Sequence, residues 1–305
     1  MAQSSTTGIK VIIDIRPDVF YLYVMKIIRA ISLPAIILLL SIHCQGQEYA
    51  FLSNPGGLGG ISEKSGISSP VTVKVIYDNY SVTKAMKSDW GFSVVITGLE
   101  KEVLFDTGAR PEIFESNFQE SGLDASKIDL LVFSHEHGDH TGGLSAFVKM
   151  RTGIPVIFPC SFSAEFMRKM EKQGLKPLLV KDPAMICPHL YTSGQFKYSI
   201  PEQALVLDTQ KGLVVITGCA HPGIIDMLKD IKTKFNKKIY MVFGGFHLMN
   251  KTGKEMDTII AEMKSLGVVK CGATHCTGGK QIKMFREAFG ENYIELGAGN
   301  TIVIN

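Results

Sequence analysis

The sequence has almost no excess of charge of one sign: 32 Lys and Arg face 29 Asp and Glu, a formal net charge of +3. A nucleic-acid-binding chain gathers its basic residues into a patch or stripe. The densest basic run here, "KTKFNKK" (232–238), falls at the exposed end of an expected helix and reads as a solvated face. Nucleic acid is therefore not an expected partner. Cysteine is sparse as well, with six in 305 residues. Cys44 lies in an apolar N-terminal segment. The other five (Cys160, Cys187, Cys219, Cys271 and Cys276) are odd in number and widely spaced, which excludes a dense disulfide framework. Cys160 and Cys271 read as buried strand thiols. No short-period repeat is present, which excludes a solenoid. The charge-free run at 30–42 is too short to span a bilayer comfortably.

That run does fit the apolar core of a secretory signal. Lys26 and Arg29 form a short basic region before it, and Gly46 offers a small residue for cleavage. Residues 1–24 are expected to be an upstream extension and residues 25–46 a signal peptide, so the protein is expected to be secreted or periplasmic. Two alternatives stay open: a lipoprotein signal with Cys44 lipidated, and an uncleaved anchor extended by "VFYLYV" (19–24). Any membrane contact would run through this segment alone. The stretch "NPGGLGGISEKSGISSP" (54–70) is rich in Gly, Ser and Pro and poor in large apolar residues. Residues 47–70 are expected to be a flexible linker, and the folded domain to occupy 71–305. Composition there is ordinary for a globular core, with 45% hydrophobic and 20% charged residues over the whole chain.

Along that domain, "VTVKVIYD" (71–78) alternates as a half-buried strand does. "GFSVVITG" (91–98) and "KEVLFDTG" (101–108) read as a hairpin. "KIDLLVFS" (127–134) and "GIPVIFP" (153–159) are further strands, and "SFSAEFMRKMEKQG" (161–174) has helical spacing ending at glycine. The second half repeats the rhythm: paired strands at 204–221, then strands ending at 247 and 276 alternating with helices. Such a mixed α/β pattern predicts sheet covered by helices.

Histidine recurs at the ends of these strands. "SHEHGDHTGG" (134–143) carries His135, His137 and His140 with Asp139, and His221, His247 and His275 each close a later strand. Strand ends beside loops are where ligands gather in helix-covered sheets. His135 and His137, two apart on an extended segment, point the same way. Asp139 and His140 follow where the chain turns, and the small residues of "HTGG" let it bend tightly into a helix. Imidazole with carboxylate suits Zn²⁺, one or two ions, and also Fe or Mn.

"HEHGDH" (135–140) resembles the His-x-His-x-Asp-His signature of the metallo-β-lactamase superfamily. "FDTG" (105–108), "TGCAHPG" (217–223) and "THCTGG" (274–279) resemble its other ligand motifs. With "DWGFS" (89–93), "PEQALVL" (201–207) and "GGFHL" (244–248), the chain is similar to the branch of archaeal dihydropterin–ribofuranosylaminobenzene phosphate synthases. The resemblance runs from about Val71 to Asn305. It implies a four-layer αββα sandwich, with His135, His137 and His221 around one metal and Asp139, His140 and His275 around a second. Asp106 would orient the ligand loop, and Asp139 would act in catalysis by orienting water or returning a proton to the leaving group. One departure stands out: Gly245 occupies the position where many members place a metal-bridging aspartate. Whether His247 joins the site is open, and strand alternation is expected to turn Cys219 and Cys276 away. Glu136 is expected in a loop salt bridge or solvated. The function so implied is a metal-dependent hydrolase acting on a small-molecule ester, thioester, lactone or phosphoester. A transferase releasing pyrophosphate and a non-catalytic metal- or ligand-binding protein are the alternatives. The loops at 79–90 and 181–203 are expected to hold the substrate.

Overall fold

The computed structural model describes residues 40–44, 47–53, 58, 61–62 and 65–305. The expected upstream extension and most of the expected signal peptide lie outside the described residues. Among the described residues, strands form two sheets. The first contains β1 (Leu40–Cys44), β2 (Gln47–Phe51), β3 (Val71–Tyr77), β4 (Ser93–Thr97), β5 (Glu102–Phe105), β6 (Ile128–Val132), β7 (Pro155–Pro159), β8 (Lys176–Val180) and β15 (Thr301–Ile304). Their order across the sheet is β1-β2-β8-β7-β6-β5-β4-β3-β15. The second contains β9 (Ala184–Cys187), β10 (Leu190–Thr192), β11 (Leu205–Thr209), β12 (Gly212–Thr217), β13 (Ile239–Gly245) and β14 (Lys270–Thr274), ordered β14-β13-β12-β11-β10-β9.

The period of two along each strand divides the apolar residues between two sides. Val94 and Ile96 of β4, Val103 and Phe105 of β5, and Leu130 and Val132 of β6 meet Val214 and Ile216 of β12 and Met241 and Phe243 of β13 in a core between the sheets. Val95, Leu104 and Leu131 face the other way, onto α1 (Pro111–Glu120), α3 (Leu144–Met150) and α4 (Ala164–Lys172) through Phe114, Phe118, Phe147 and Met167. Val215 and Val242 of the second sheet face α5 (Ile224–Phe235), α6 (Gly253–Ser265) and α7 (Gly279–Phe289). On α5 the buried residues Ile224, Met227, Leu228, Ile231 and Phe235 recur every three or four positions, a single apolar stripe. The helices also start where their sequences say: Thr252 and Glu255 close a capping box on α6, and Ser163 caps α4. The four layers are thus helix, sheet, sheet, helix, the αββα sandwich that the resemblance implied.

The segment 47–70 contributes to the fold where a flexible linker was expected. β2 runs parallel to β8, with Ala50 opposite Leu178 and Phe51 opposite Leu179. Tyr49, Phe51, Leu52 and Ile67 are buried, and Ile67 bridges to Thr209. Ile67 lies within the Gly-, Ser- and Pro-rich stretch and the other three in the short apolar run just before it, and these buried side chains are enough to tie down the stretches that carry them. β1, inside the segment expected as a signal, pairs antiparallel with β2 from Leu40↔Phe51 to Cys44↔Gln47.

Candidate metal centre

Five strand ends meet at the seam between the sheets: those of β5 and β6 from the first and β12, β13 and β14 from the second. Asp106 follows β5 with φ 55°, Ala220 follows β12 with φ 59°, His247 follows β13 with φ 51°, and His275 follows β14 with φ 50°. Left-handed backbone at a residue bearing a Cβ costs about 1–3 kcal/mol and persists only where the surroundings enforce it. Here it turns each chain sharply at the sheet edge. After β6, His135 and His137 lie on extended chain, and the single turn of α2 (Gly138–Thr141) then carries Asp139 and His140.

Asp106 is fully buried and serves as the hub of this loop. Its Oδ1 accepts from the Ser134 backbone N–H at 2.7 Å. Its Oδ2 accepts from Ser134 Oγ and from His140 Nδ1, each at 2.7 Å. His140 therefore keeps a proton on Nδ1, and Nε2 is the nitrogen left to face an ion. Burial pulls the His140 pKa down, but the charge and hydrogen bond of Asp106 outweigh it and push it up to about 9. Because Ser134 Oγ donates to Asp106, it accepts from His135 Nδ1 at 2.9 Å, and His135 Nε2 is bare as well. Burial holds the His135 and His137 rings below the usual imidazole range, in the neutral form that a metal requires.

The second sheet repeats the device. The side chain of Glu202 is fully buried and accepts from the backbone N–H groups of Cys219, Ala220 and His221 at 2.8, 2.8 and 2.9 Å. Its Oε2 also accepts from His221 Nδ1 at 3.0 Å, so His221 Nε2 is free. Burial would raise the Glu202 carboxyl, yet His135 and His221 beside it and these hydrogen bonds hold it well below the carboxylate range. Asn79, from the loop after β3, accepts from His275 Nδ1 at 2.8 Å and donates to the His275 carbonyl at 3.2 Å. His275 Nε2 is then a buried polar atom with no hydrogen-bond partner, 3.3 Å from Asp139 Oδ2. Trp90, half exposed, donates its Nε1–H to the same Asp139 oxygen at 2.8 Å, and its ring centroid lies 5.0 Å from that of His275.

His135, His137 and His221 thus present one nitrogen each within 4.8 Å of one another, and a carboxylate oxygen of Asp139 lies equally close to one nitrogen each of His140 and His275. His135 Nε2 stands 3.2 Å from His137 Nδ1. Two nitrogens bound about 2.0–2.1 Å from one tetrahedral Zn²⁺ would be about 3.3 Å apart. The bare Nε2 atoms, the orphaned buried nitrogen of His275 and this spacing all fit divalent metal ions held by these six residues. The six residues expected as ligands from the sequence lie together in these two groups, with Asp106 behind them. His247 sits at the rim, its ring centroid 4.5 Å from that of His221, and forms a donor group with Cys219 and Cys276.

Other residues stand differently from expectation. Cys219 and Cys276 are buried and turned into the centre, since both follow their strands in irregular turns where alternation no longer applies. Cys219 Sγ lies 3.2 Å from His140 Nε2. Burial alone would raise the Cys276 thiol; the hydrogen bonds of Cys219 and His247 and the charges of His275 and His140 hold it well below the usual thiol range. Glu136 makes no ion pair among the described residues. Its carboxylate accepts from the Ser163 backbone N–H at 2.6 Å and from Ser163 Oγ, tying the loop to the start of α4. Glu202, Asn79, Ser134 and Trp90 were not singled out from the sequence. Of these, Glu202, Trp90 and Ser134 fall in quoted motifs, whereas Asn79 is marked only by its place in the loop 79–90.

An αββα sandwich carrying paired histidine and aspartate donors at the seam of its sheets defines a metal-centre protein of the metallo-β-lactamase fold. The chain belongs to the metallo-β-lactamase superfamily. The family model of that superfamily matches residues 91–159. A 7,8-dihydropterin-6-methyl-4-(β-D-ribofuranosyl)-aminobenzene-5'-phosphate synthase of Methanocaldococcus jannaschii is 33% identical over 264 residues, covering 70% of this chain and 90% of the relative. A crystal structure of a metal-dependent hydrolase of the β-lactamase superfamily superposes with a TM-score of 0.64 at 28% identity, over 76% of this chain and 98% of that one. The metallo-β-lactamase fold protein YhfI of Bacillus subtilis shares the fold at a TM-score of 0.58 and 14% identity, over 77% of this chain and all of that one.

Proposed function

We propose that the chain is a metal-dependent hydrolase that cleaves a small-molecule ester, thioester, lactone or phosphoester. The observation that carries this reading is the set of imidazoles whose Nδ1 protons are each tied to a fixed acceptor, Asp106, Ser134, Glu202 or Asn79, so that the Nε2 lone pairs converge. Ions held by His135, His137 and His221 and by Asp139, His140 and His275 would lower the pKa of water from about 15.7 toward about 7 and polarise the substrate oxygen. Zn²⁺ suits this nitrogen-rich set, and Fe or Mn are the alternatives. Asp139 faces both His140 and His275, and its carboxylate is held well below the usual range by them against the opposing effect of burial. It stays ionised, fixed by Trp90, and would orient the attacking water and take up the proton that water releases, passing it on to the leaving group. The exposed face of Trp90 forms a wall beside His275 against which a substrate ring or chain packs.

The test is elemental analysis of the purified chain beside His275→Ala, followed by panels of esters, thioesters, lactones and phosphoesters. About two ions per chain are expected, falling toward one in the variant, with turnover lost. Full activity of His275→Ala on every substrate cleaved by the wild type would sink the proposal. A second reading rests on the 33% identity to a synthase: transfer onto a pterin-type substrate with release of pyrophosphate. Pyrophosphate formed from such a substrate, with no hydrolysis across the panels, would favour it.

A further inference from the structure

The position of the missing bridging carboxylate is not empty space. A Cβ built on Gly245 would lie 2.8 Å from Cys276 Sγ and 3.1 Å from the His275 ring, and would collide with the Gly218 carbonyl. No side chain fits there, because the sulfur of Cys276 already fills the place. Cys219 reaches the same region from the end of β12. Its Sγ belongs at once to two groups of donor atoms, one with Asp139, His140 and His275 and one with His247 and Cys276. Both thiols are buried, at 2% and 3% exposure, among side chains whose lone pairs point inward.

We propose that a sulfur ligand makes up for the missing carboxylate in this chain: the Cys219 thiolate completes the Asp139–His140–His275 donor set, with Cys276 and His247 packed beside it as a supporting pair. This rests on the metal-centre reading above and extends it to ligand identity and metal preference. Cys219 Sγ is 3.2 Å from His140 Nε2, the nitrogen left to bind an ion because Nδ1 donates to Asp106. A thiol and an imidazole so placed make one weak hydrogen bond in the absence of metal and two converging donors in its presence. Coordination forms the metal–sulfur bond and releases the thiol proton to solvent. The charges of Asp139 and Cys219 together then balance one divalent ion, whereas the His135–His137–His221 set is neutral. A thiolate in place of a carboxylate moves the preference from hard ions such as Mn²⁺ toward thiophilic ones such as Zn²⁺ and Co²⁺.

The experiment is titration of Co²⁺ into the metal-stripped full chain under reducing, anaerobic conditions, followed by absorption. The wild type is expected to develop visible ligand-field bands together with a near-ultraviolet thiolate-to-cobalt band. Cys219→Ser keeps the visible bands and loses the near-ultraviolet one, and Cys271→Ser, on the far side of β14, keeps both. Zn²⁺ displaces the cobalt and Mn²⁺ at the same concentration does not. X-ray absorption at the zinc edge of the wild type, which needs no variant, is expected to show a sulfur shell at about 2.3 Å. Visible bands with no near-ultraviolet band and no sulfur shell would overturn the thiolate assignment and leave the metal centre standing. No binding of Co²⁺ or Zn²⁺ at all would overturn both.

Discussion

Replacing Asp106 by asparagine keeps the shape of the side chain and removes one acceptor. Oδ1 still receives the Ser134 backbone N–H, but the new amide NH₂ faces Ser134 Oγ and His140 Nδ1, both of which donate to Oδ2. Two hydrogen bonds to a charged acceptor are lost, each worth about 1.5–3 kcal/mol. The metal-free chain should therefore be about 3–6 kcal/mol less stable in denaturant unfolding. The larger consequence is at His140. To avoid the clash of donors its proton moves to Nε2, which places a hydrogen where the centre needs a lone pair. Loss of such an outer partner lowers metal affinity about 10–100-fold, or about 1.4–2.7 kcal/mol. Competition with a chromophoric chelator measures this directly. Asp106→Asn binding metal within twofold of the wild type, at unchanged stability, would refute the claim that Asp106 fixes the ligand tautomer.

Glu202→Gln disturbs His221 in the same way, so elemental analysis should show loss of one ion per chain while the Asp139–His140–His275 ion persists; loss of neither would show that Glu202 only braces the loop. Asp78 is buried beneath Thr274, and burial pushes its pKa up to about 7 from an unfolded value of 3.8. The stability it contributes is fully present below about pH 4 and is lost as pH rises through 7, a window of about 3 units or about 4 kcal/mol at most. In the metal-free chain Asp78→Asn should match the wild type near pH 4 and exceed it in denaturant unfolding at pH 8; equal stability at both pH values would contradict this.

The histidines were legible because they follow apolar runs, three clustered after one strand and His221, His247 and His275 each after another, where period and chemistry change together. The αββα layering needed the resemblance, since alternation shows which residues are buried but not which sheet they face. What holds the ligands was less visible. Asn79 and His275 are separated by 196 residues, and no local pattern announces a contact of that span. Glu202 precedes His221 by 19 residues in a loop with no regular period. The inward turn of Cys219 and Cys276 was misjudged because alternation was carried past the last residue of each strand, into backbone that no longer alternates. The anchor at Ile67 was hidden by the glycine and serine around it, and the short apolar run at 49–52 by its place between an expected signal and that stretch.

The proposed ligands come from both sheets: His135, His137, Asp139 and His140 from the first, and His221 and His275 from the second. An ion shared across that seam acts as a rivet through the middle of the sandwich. The sheets cannot slide or part without breaking coordination bonds, so opening of the hydrophobic interior and release of the ion become one event. Resistance of this fold to unfolding is then set partly by the free metal in its surroundings, rising by about 1.4 kcal/mol for each tenfold increase above the dissociation constant. A cell that withholds the ion would be left with a looser molecule as well as an idle one.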